Sequence, residues 1–423
     1  MSKLLRRCLM TFIILIIPLY FLSCSNELPT VSSGGQEPET SGVTATEDFG
    51  STSATTESST EAPNTAVETV PETLPKTTVE TLPETNPETI PETIPKTEPD
   101  VEPTLPVSMN YLTGLPCEES LLGRRAVVIV FNNLQISLPQ SGLSKCDIIY
   151  EALAEGGILR ICGVSLDYEN LGLLGSMRSA RPYLVELALA YDAIFLHAGG
   201  TERAYEAIEN FNVDDVDGVQ RGPFWANGAS VFWRDQDRLN AGIPLEHTMF
   251  TSGLKLLDAV NAKGYRKTLN DTSFTAFQFT PYNLPLEGGM TANYIKIPHS
   301  TYSVSEFFYH SADGKYYHNQ FGDKHVDGQT GEQIATENVM ILFTQQSLYP
   351  GQTVTSYRKI DLVGEGKGYY ANGGEMIPIV WKRSSETGAF SYYREDGTEL
   401  SVKCGKSYIS IADQAIANQI VFS

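Results

Sequence analysis

Arg124-Arg125-Ala126-Val127-Val128-Ile129-Val130-Phe131 is the stretch on which the fold turns. Its apolar run has no alternation. A strand with one solvated face would place a polar side chain at every second position, so this one reads as a central strand covered on both faces. Layers on either side follow downstream. Residues 147–155 and 158–167 are β-rich runs parted by Gly156-Gly157, the signal of a hairpin turn. Ser176-Met177-Arg178-Ser179-Ala180-Arg181-Pro182 leads into a helix over 183–190, with Ser179 placed to cap it and Pro182 in its first turn. Residues 192–197 read as a second buried strand, stopped by Ala198-Gly199-Gly200. Thr201 caps a helix through Phe211, and a further helix spans 252–262.

From about Phe274 the texture changes to short β-branched and aromatic runs with Asp-Gly turns at Asp313-Gly314, Asp327-Gly328 and Asp396-Gly397. Residues 338–343, 354–363, 376–382 and 408–411 read as strands of an antiparallel sheet or barrel. The expected fold class is α+β: a layered α/β amino-terminal half, residues 107–270, followed by a β-rich antiparallel carboxy-terminal half, residues 271–423. The boundary is expected between Gly264 and Phe279.

Upstream the composition is different. Residues 25–106 hold 12 of the 23 prolines and one aromatic residue, Phe49, which is too little apolar surface to offset the entropy of ordering. Pro71-Glu72-Thr73-Leu74, Pro87-Glu88-Thr89-Ile90 and Pro91-Glu92-Thr93-Ile94 set a four-residue rhythm that favours extended polyproline conformation. Such a tether spans about 50 Å as a random coil and roughly 250 Å fully extended. Leu74-Pro75-Lys76-Thr77 and Leu82-Pro83-Glu84-Thr85 imitate a wall-sorting motif without its usual surroundings, so a spacer is the simpler reading.

Residues 1–24 carry Lys3, Arg6 and Arg7, an apolar run over 8–22, and Phe21-Leu22-Ser23-Cys24. The run is short for a membrane span and fits a secretory signal of the lipoprotein type, with Cys24 taking the lipid; an uncleaved amino-terminal anchor is the alternative. Either way the folded part is expected on the extracytoplasmic face of the bacterial cell membrane.

The net charge of −21 divides along the chain. Residues 1–24 hold +3, residues 25–106 hold −14, and residues 107–423 hold −10. A nucleic-acid binder would show a basic footprint, so that class is excluded. The spacing of Cys117, Cys146, Cys162 and Cys404 matches no metal motif, and neither a metal nor another cofactor is expected. Whether any pair of them forms a disulfide is left open by spacing alone.

Several motifs in one order resemble the YerB-like lipoprotein family of Gram-positive bacteria. They include Leu112-Thr113-Gly114-Leu115-Pro116, Pro139-Gln140-Ser141-Gly142-Leu143-Ser144-Lys145, Tyr150-Glu151-Ala152, Arg178-Ser179-Ala180-Arg181-Pro182-Tyr183 and His197-Ala198-Gly199-Gly200. Phe232-Trp233-Arg234-Asp235 with Arg238, and Gly364-Glu365-Gly366-Lys367-Gly368 with Trp381-Lys382, belong to the same pattern. The resemblance runs from about Met109 onward and implies a two-part extracytoplasmic domain of unknown activity. Glu246-His247-Thr248 stands where the family tends to have Pro-His-Asn.

Two guanidinium groups at a helix start, Arg178 and Arg181, suit a phosphate or carboxylate, because arginine forks bind such groups in two-point fashion. Arg160, Arg234 and Arg238 would join them if their loops converge. The alternative is a structural network in which the arginines pair with Glu151, Glu155 or Glu186. His197, at the exit of a buried strand, and His247, beside Glu246, are either acid–base groups or hydrogen-bonded structural histidines. Two functions follow. One is a module binding an anionic cell-wall ligand or a protein partner; the other is a hydrolase or transferase for a phosphorylated or acidic glycan, using Glu151, Glu155 and His197 beside the arginines.

Overall fold

The computed structural model describes residues 104–281, 286–351, 353 and 357–423. The expected signal, the lipidation of Cys24 and the tether through residue 103 lie outside them. The first described strands are β1 (Val127–Phe131), β2 (Ile148–Leu153) and β3 (Leu159–Ser165). β2 and β3 form the expected hairpin, and its turn needs left-handed backbone, φ +67° at Gly156 and +75° at Gly157, which glycine adopts at little cost.

β3 pairs antiparallel with β1. α1 (Pro182–Ala190) then crosses to β4 (Ile194–His197), which lies parallel to β1, and α2 (Glu202–Asn210) crosses to β5 (Asp215–Asp217), parallel to β4. Thr201 caps α2 by accepting from the Ala204 N–H, as expected. The residue at the cap of α1 is Arg181 and no side chain caps it, so Ser179 does not have the expected role. Pro182 at the first helical position has no N–H to satisfy, which lowers the need for a cap. Ser252 caps α3 (Gly253–Lys263).

The remaining chain is strand-rich. β6 (Tyr294–Pro298), β7 (Val304–His310) and β8 (Lys315–Gln320) form a small antiparallel sheet. β9 (Asn338–Thr344), β10 (Gly364–Asn372), β11 (Glu375–Arg383) and β12 (Ser407–Asp413) enter the same sheet as the amino-terminal strands. Its order runs β11-β10-β9-β12-β2-β3-β1-β4-β5. Here the expectation of an antiparallel carboxy-terminal half holds only in part. β9-β10-β11 is an antiparallel meander, but β12 lies parallel to both of its neighbours, β9 and β2. The physical reason is burial: Tyr408 and Ala412 face one core, Ile409 and Ile411 the other, so β12 fits only where both faces are covered. Within the expected strand over 354–363 the observed strand is Arg358–Ile360.

The two faces of this sheet carry separate cores. Val128 and Val130 of β1 pack with Leu184, Leu187 and Ala188 of α1. Val127, Ile129 and Phe131 share the other core with Leu256 and Val260 of α3 and with Ile295, Ile297 and Phe307 of the small sheet. The unbroken apolar run quoted first is the signature of that position. Cys117, Cys146, Cys162 and Cys404 are free thiols.

One carboxylate joins the layers. Glu151 of β2, fully buried, accepts from His299 Nε2 (2.9 Å), Ser305 Oγ (2.8 Å), Tyr408 Oη (2.9 Å) and Ser410 Oγ (2.6 Å). Burial alone would raise its pKa, yet the charge and hydrogen bond of His299 and the nearby His318 hold it down at about 2. Burial holds His318 at about 4 and His325 well below the usual histidine value.

These groups all bind protons more weakly in the folded chain than in the unfolded one. Stability is therefore complete near neutral pH and is lost on acidification, first below about 6.5 as the unfolded histidines charge, then from about 4.5 toward 2 through Glu151. Denaturant titrations at stepped pH are expected to show the midpoint falling from pH 7 to pH 4, and His318→Asn to flatten that slope. Glu151→Ala strands four buried donors and is expected to cost about 3–5 kcal/mol by the same measurement.

Candidate functional site

The carboxyl ends of β1 and β4, the parallel strands, open onto a cleft of about 310 Å³ lined by Arg178, Ser179, Gly199, Gln220, Arg234 and Glu246, among others. Open α/β sheets bind ligands at this kind of position. The segment after β4 reaches it because Ala198 donates to the Arg178 carbonyl, and Ala180 to that of Gly199.

Five arginines were candidates for one site, and the structure separates their roles. Arg181 is buried and bound to Glu155 by two N–H groups, Nε to Oε2 at 2.9 Å and Nη2 to Oε1, while its Nη1 donates to the carbonyls of Ser179 and Ala180. Burial would raise the Glu155 pKa, but Arg181, aided by Arg160, holds it below the usual carboxylate range. This pair is the structural network of the alternative reading. Glu186 belongs elsewhere, bonded to Arg383 at 2.9 Å.

Arg160 is different. It is 1% exposed, its Nη2 lies 3.5 Å from Glu155, and its Nε and Nη1 have no partner among the described residues. Burial, then the charge of Arg181, lowers its pKa to about 9, even with Glu155 opposing. Arg178 lines the cleft, donates from Nη1 to the Glu246 carbonyl at 3.2 Å, and keeps a buried Nε without a partner. Burial and the charge of Arg181 lower its pKa, against Glu246. Arg234, also on the cleft, donates to the Leu245 carbonyl at 2.6 Å. Arg238 holds the carbonyls of Ser137 and Pro139 at 2.7 and 2.6 Å, so it fastens a loop rather than facing the cleft.

His247 is buried, with Nδ1 2.8 Å from Asn132 Nδ2 and Nε2 3.8 Å from Glu246; burial and Arg178 lower its pKa. His197 is fully buried, donates from Nδ1 to the Gly199 carbonyl at 2.8 Å, and has Nε2 3.4 Å from Asp215. It supports the loop floor and does not face the cleft. Glu151 is not brought to the arginines at all. Arg160 pairs with Ala152, so Glu151 points to the opposite face of the sheet. Of the catalytic reading's groups, Glu151 and His197 thus lie away from the cleft, and Glu155 is engaged by Arg181.

Sequence reasoning missed two groups. Asn132 follows β1 directly and lies beside Arg160 where β1 and β3 pair; Ser176 accepts the Asn132 N–H at its carbonyl. Asn132 Oδ1 and Ser176 Oγ are also buried without a partner. The signal was available: polar residues directly after an apolar run, at a carboxyl strand end. A larger hollow of about 530 Å³ by Arg125, Asp192, Asp214 and Arg266 offers less, since its charges neutralise one another as Arg125–Asp214 and Arg266–Asp192 pairs.

Comparison with known proteins identifies the family. Residues 112–266 match the family model described as the N-terminal domain of a protein of unknown function (DUF3048), and residues 294–409 match its C-terminal domain. The chain is 31% identical over 317 residues to "Putative lipoprotein YerB" of Bacillus subtilis (strain 168), covering 73% of this chain and 87% of that protein. It superposes on the crystal structure of YerB from Bacillus subtilis with a TM-score of 0.63 at 28% identity, covering 74% of this chain and 99% of that one.

A buried guanidinium with two unmatched nitrogens costs stability, so Arg160→Met is expected to raise the unfolding free energy by about 1 kcal/mol or more, because removing a buried charge for an apolar side chain of similar volume is commonly stabilising. Urea denaturation of both proteins measures it. A large loss of stability would mean that Arg160 is an essential structural partner of Glu155.

Proposed function

The chain belongs to the YerB-like family of DUF3048 proteins, and from that premise we propose that it is a lipid-anchored extracytoplasmic lipoprotein whose arginine cleft binds an anionic cell-envelope ligand. The observation that carries this reading is Arg178 on a strand-end cleft, with a buried Nε that has no partner among the described residues. A phosphate or carboxylate in the cleft accepts from Arg178, and its negative charge eases the repulsion of Arg178 with Arg181 and Arg160. Charge-assisted bonds of this kind contribute about 1.5–3 kcal/mol each. Glu246 at the rim narrows the choice, since it repels any second negative group close to the first.

The lipoprotein name of the relative supports the anchor, together with the basic, apolar and Ser23-Cys24 features of residues 1–24. A protein partner presenting a carboxylate or phosphate fits the same donors.

Calorimetry of the full chain against inorganic phosphate, pyrophosphate and a polyanionic wall polymer tests the site. Binding that weakens with added salt and drops at least about tenfold in Arg178→Ala is expected; equal binding by the variant removes the assignment. The anchor is tested separately. Cys24→Ala is expected to leave the membrane fraction, and retention there with unchanged mobility would contradict lipidation at that residue.

A further inference from the structure

The small sheet presents to solvent a row of aromatic side chains on its face away from the core. Along β6, β7 and β8 the side chains alternate, with Ile295, Ser305, Phe307, Tyr316 and His318 buried beneath. Above them Tyr294 stands directly opposite Phe308, and Phe308 directly opposite Tyr317, so three rings fall in line across three strands. The Tyr294 and Phe308 centroids are 5.1 Å apart, and His310 stacks on Tyr317 at 4.3 Å. Phe308 is 38% exposed.

Two carboxylates fix the ends of this row. Tyr294 donates its hydroxyl to Glu306, and Tyr317 donates to Asp313 at 2.6 Å. Each of the two tyrosine rings is held in one orientation by a bond at its far end, so a ligand stacking on it loses less rotamer entropy. The adjoining row on the same face is polar, Lys296 opposite Glu306 opposite Asn319.

We propose that this face is a second binding site, separate from the arginine cleft, and that it takes an uncharged chain of β-linked pyranose sugars. Strands about 4.8 Å apart set the three rings over about 10 Å, a length comparable to two sugar rings end to end. The axial C–H face of a pyranose is apolar and packs on an aromatic face, while its equatorial hydroxyls donate sideways to carboxylates such as Glu306 and Asp313. Those same carboxylates, with −10 over residues 107–423, disfavour a polyanionic strand. Nucleic acid also needs aromatic stacking but requires a cationic track beside it; Lys315 at this sheet's edge is already paired with Glu337 at 3.5 Å.

Depletion of the full chain from solution by chitin and by cellulose, at high salt, tests the proposal, with saturation-transfer NMR on a soluble N-acetylglucosamine tetramer alongside. Wild type is expected to be depleted, with saturation passing from aromatic protons to the ring C–H protons of the sugar. Phe308→Ala and Tyr317→Ala should each weaken retention roughly tenfold with the thermal midpoint nearly unchanged, because both rings lie outside the core. Arg178→Ala should bind like wild type, which separates this site from the cleft. Absence of depletion and of transfer for wild type overturns the proposal. So does retention by Phe308→Ala equal to wild type, or retention on single-stranded DNA but not on either glucan-type polymer.

Discussion

Glu151 is the constraint around which the rest is arranged. A buried carboxylate is tolerated only if its lone pairs are filled, and the donors that fill them come from β12, from the start of β7 and from His299 between β6 and β7. The two regions matched by separate family models are therefore joined through one charge and one continuous sheet. A second polar chain runs from His318 through His325 to Gln140, whose amide holds the Asn132 carbonyl and Asn133 at 2.8 Å. The loop that follows β1 is thus held by residues more than 180 positions downstream.

Electrostatic cost is distributed unequally between the two faces. On one face both carboxylate oxygens of Glu151 are met by donors, which yields stability. On the opposite face Arg160 is buried and Arg178 half-buried, each with buried nitrogen left without a partner among the described residues, which withdraws it. Proteins commonly hold such unfavourable arrangements where a ligand completes them. Glu155 offsets part of the repulsion through Arg181, and its exchange for an apolar residue would leave three guanidinium groups facing one another.

Much of the amino-terminal half was legible because burial leaves a simple trace. Val127 to Phe131 could only be a strand covered twice, Gly156-Gly157 could only turn, and Thr201 and Ser252 cap where hydroxyls precede helices. Pairing partners were not legible. Nothing local in Ser407–Asp413 says that its neighbours are β2 and β9, since strand direction is decided by distant chain. The site was legible by residue type and not by direction. Arg178 and Arg181 sit three apart, yet one faces the cleft and the other is spent on Glu155, and Glu151 is turned away by the two-residue period of a strand.

The central placement of β12 has a bearing on how this chain reaches its folded form. Residues 407–413 fill the gap between a strand at 148–153 and one at 338–344, so the middle of the sheet closes over a loop of more than 250 residues. Such closure is slow, because the entropy of the loop is lost before the contacts repay it. A chain emerging amino terminus first can form the hairpin and its helices early, but it has no completed sheet until position 413 has appeared. This late closure leaves the chain without its complete central sheet until nearly all of the described residues are in place.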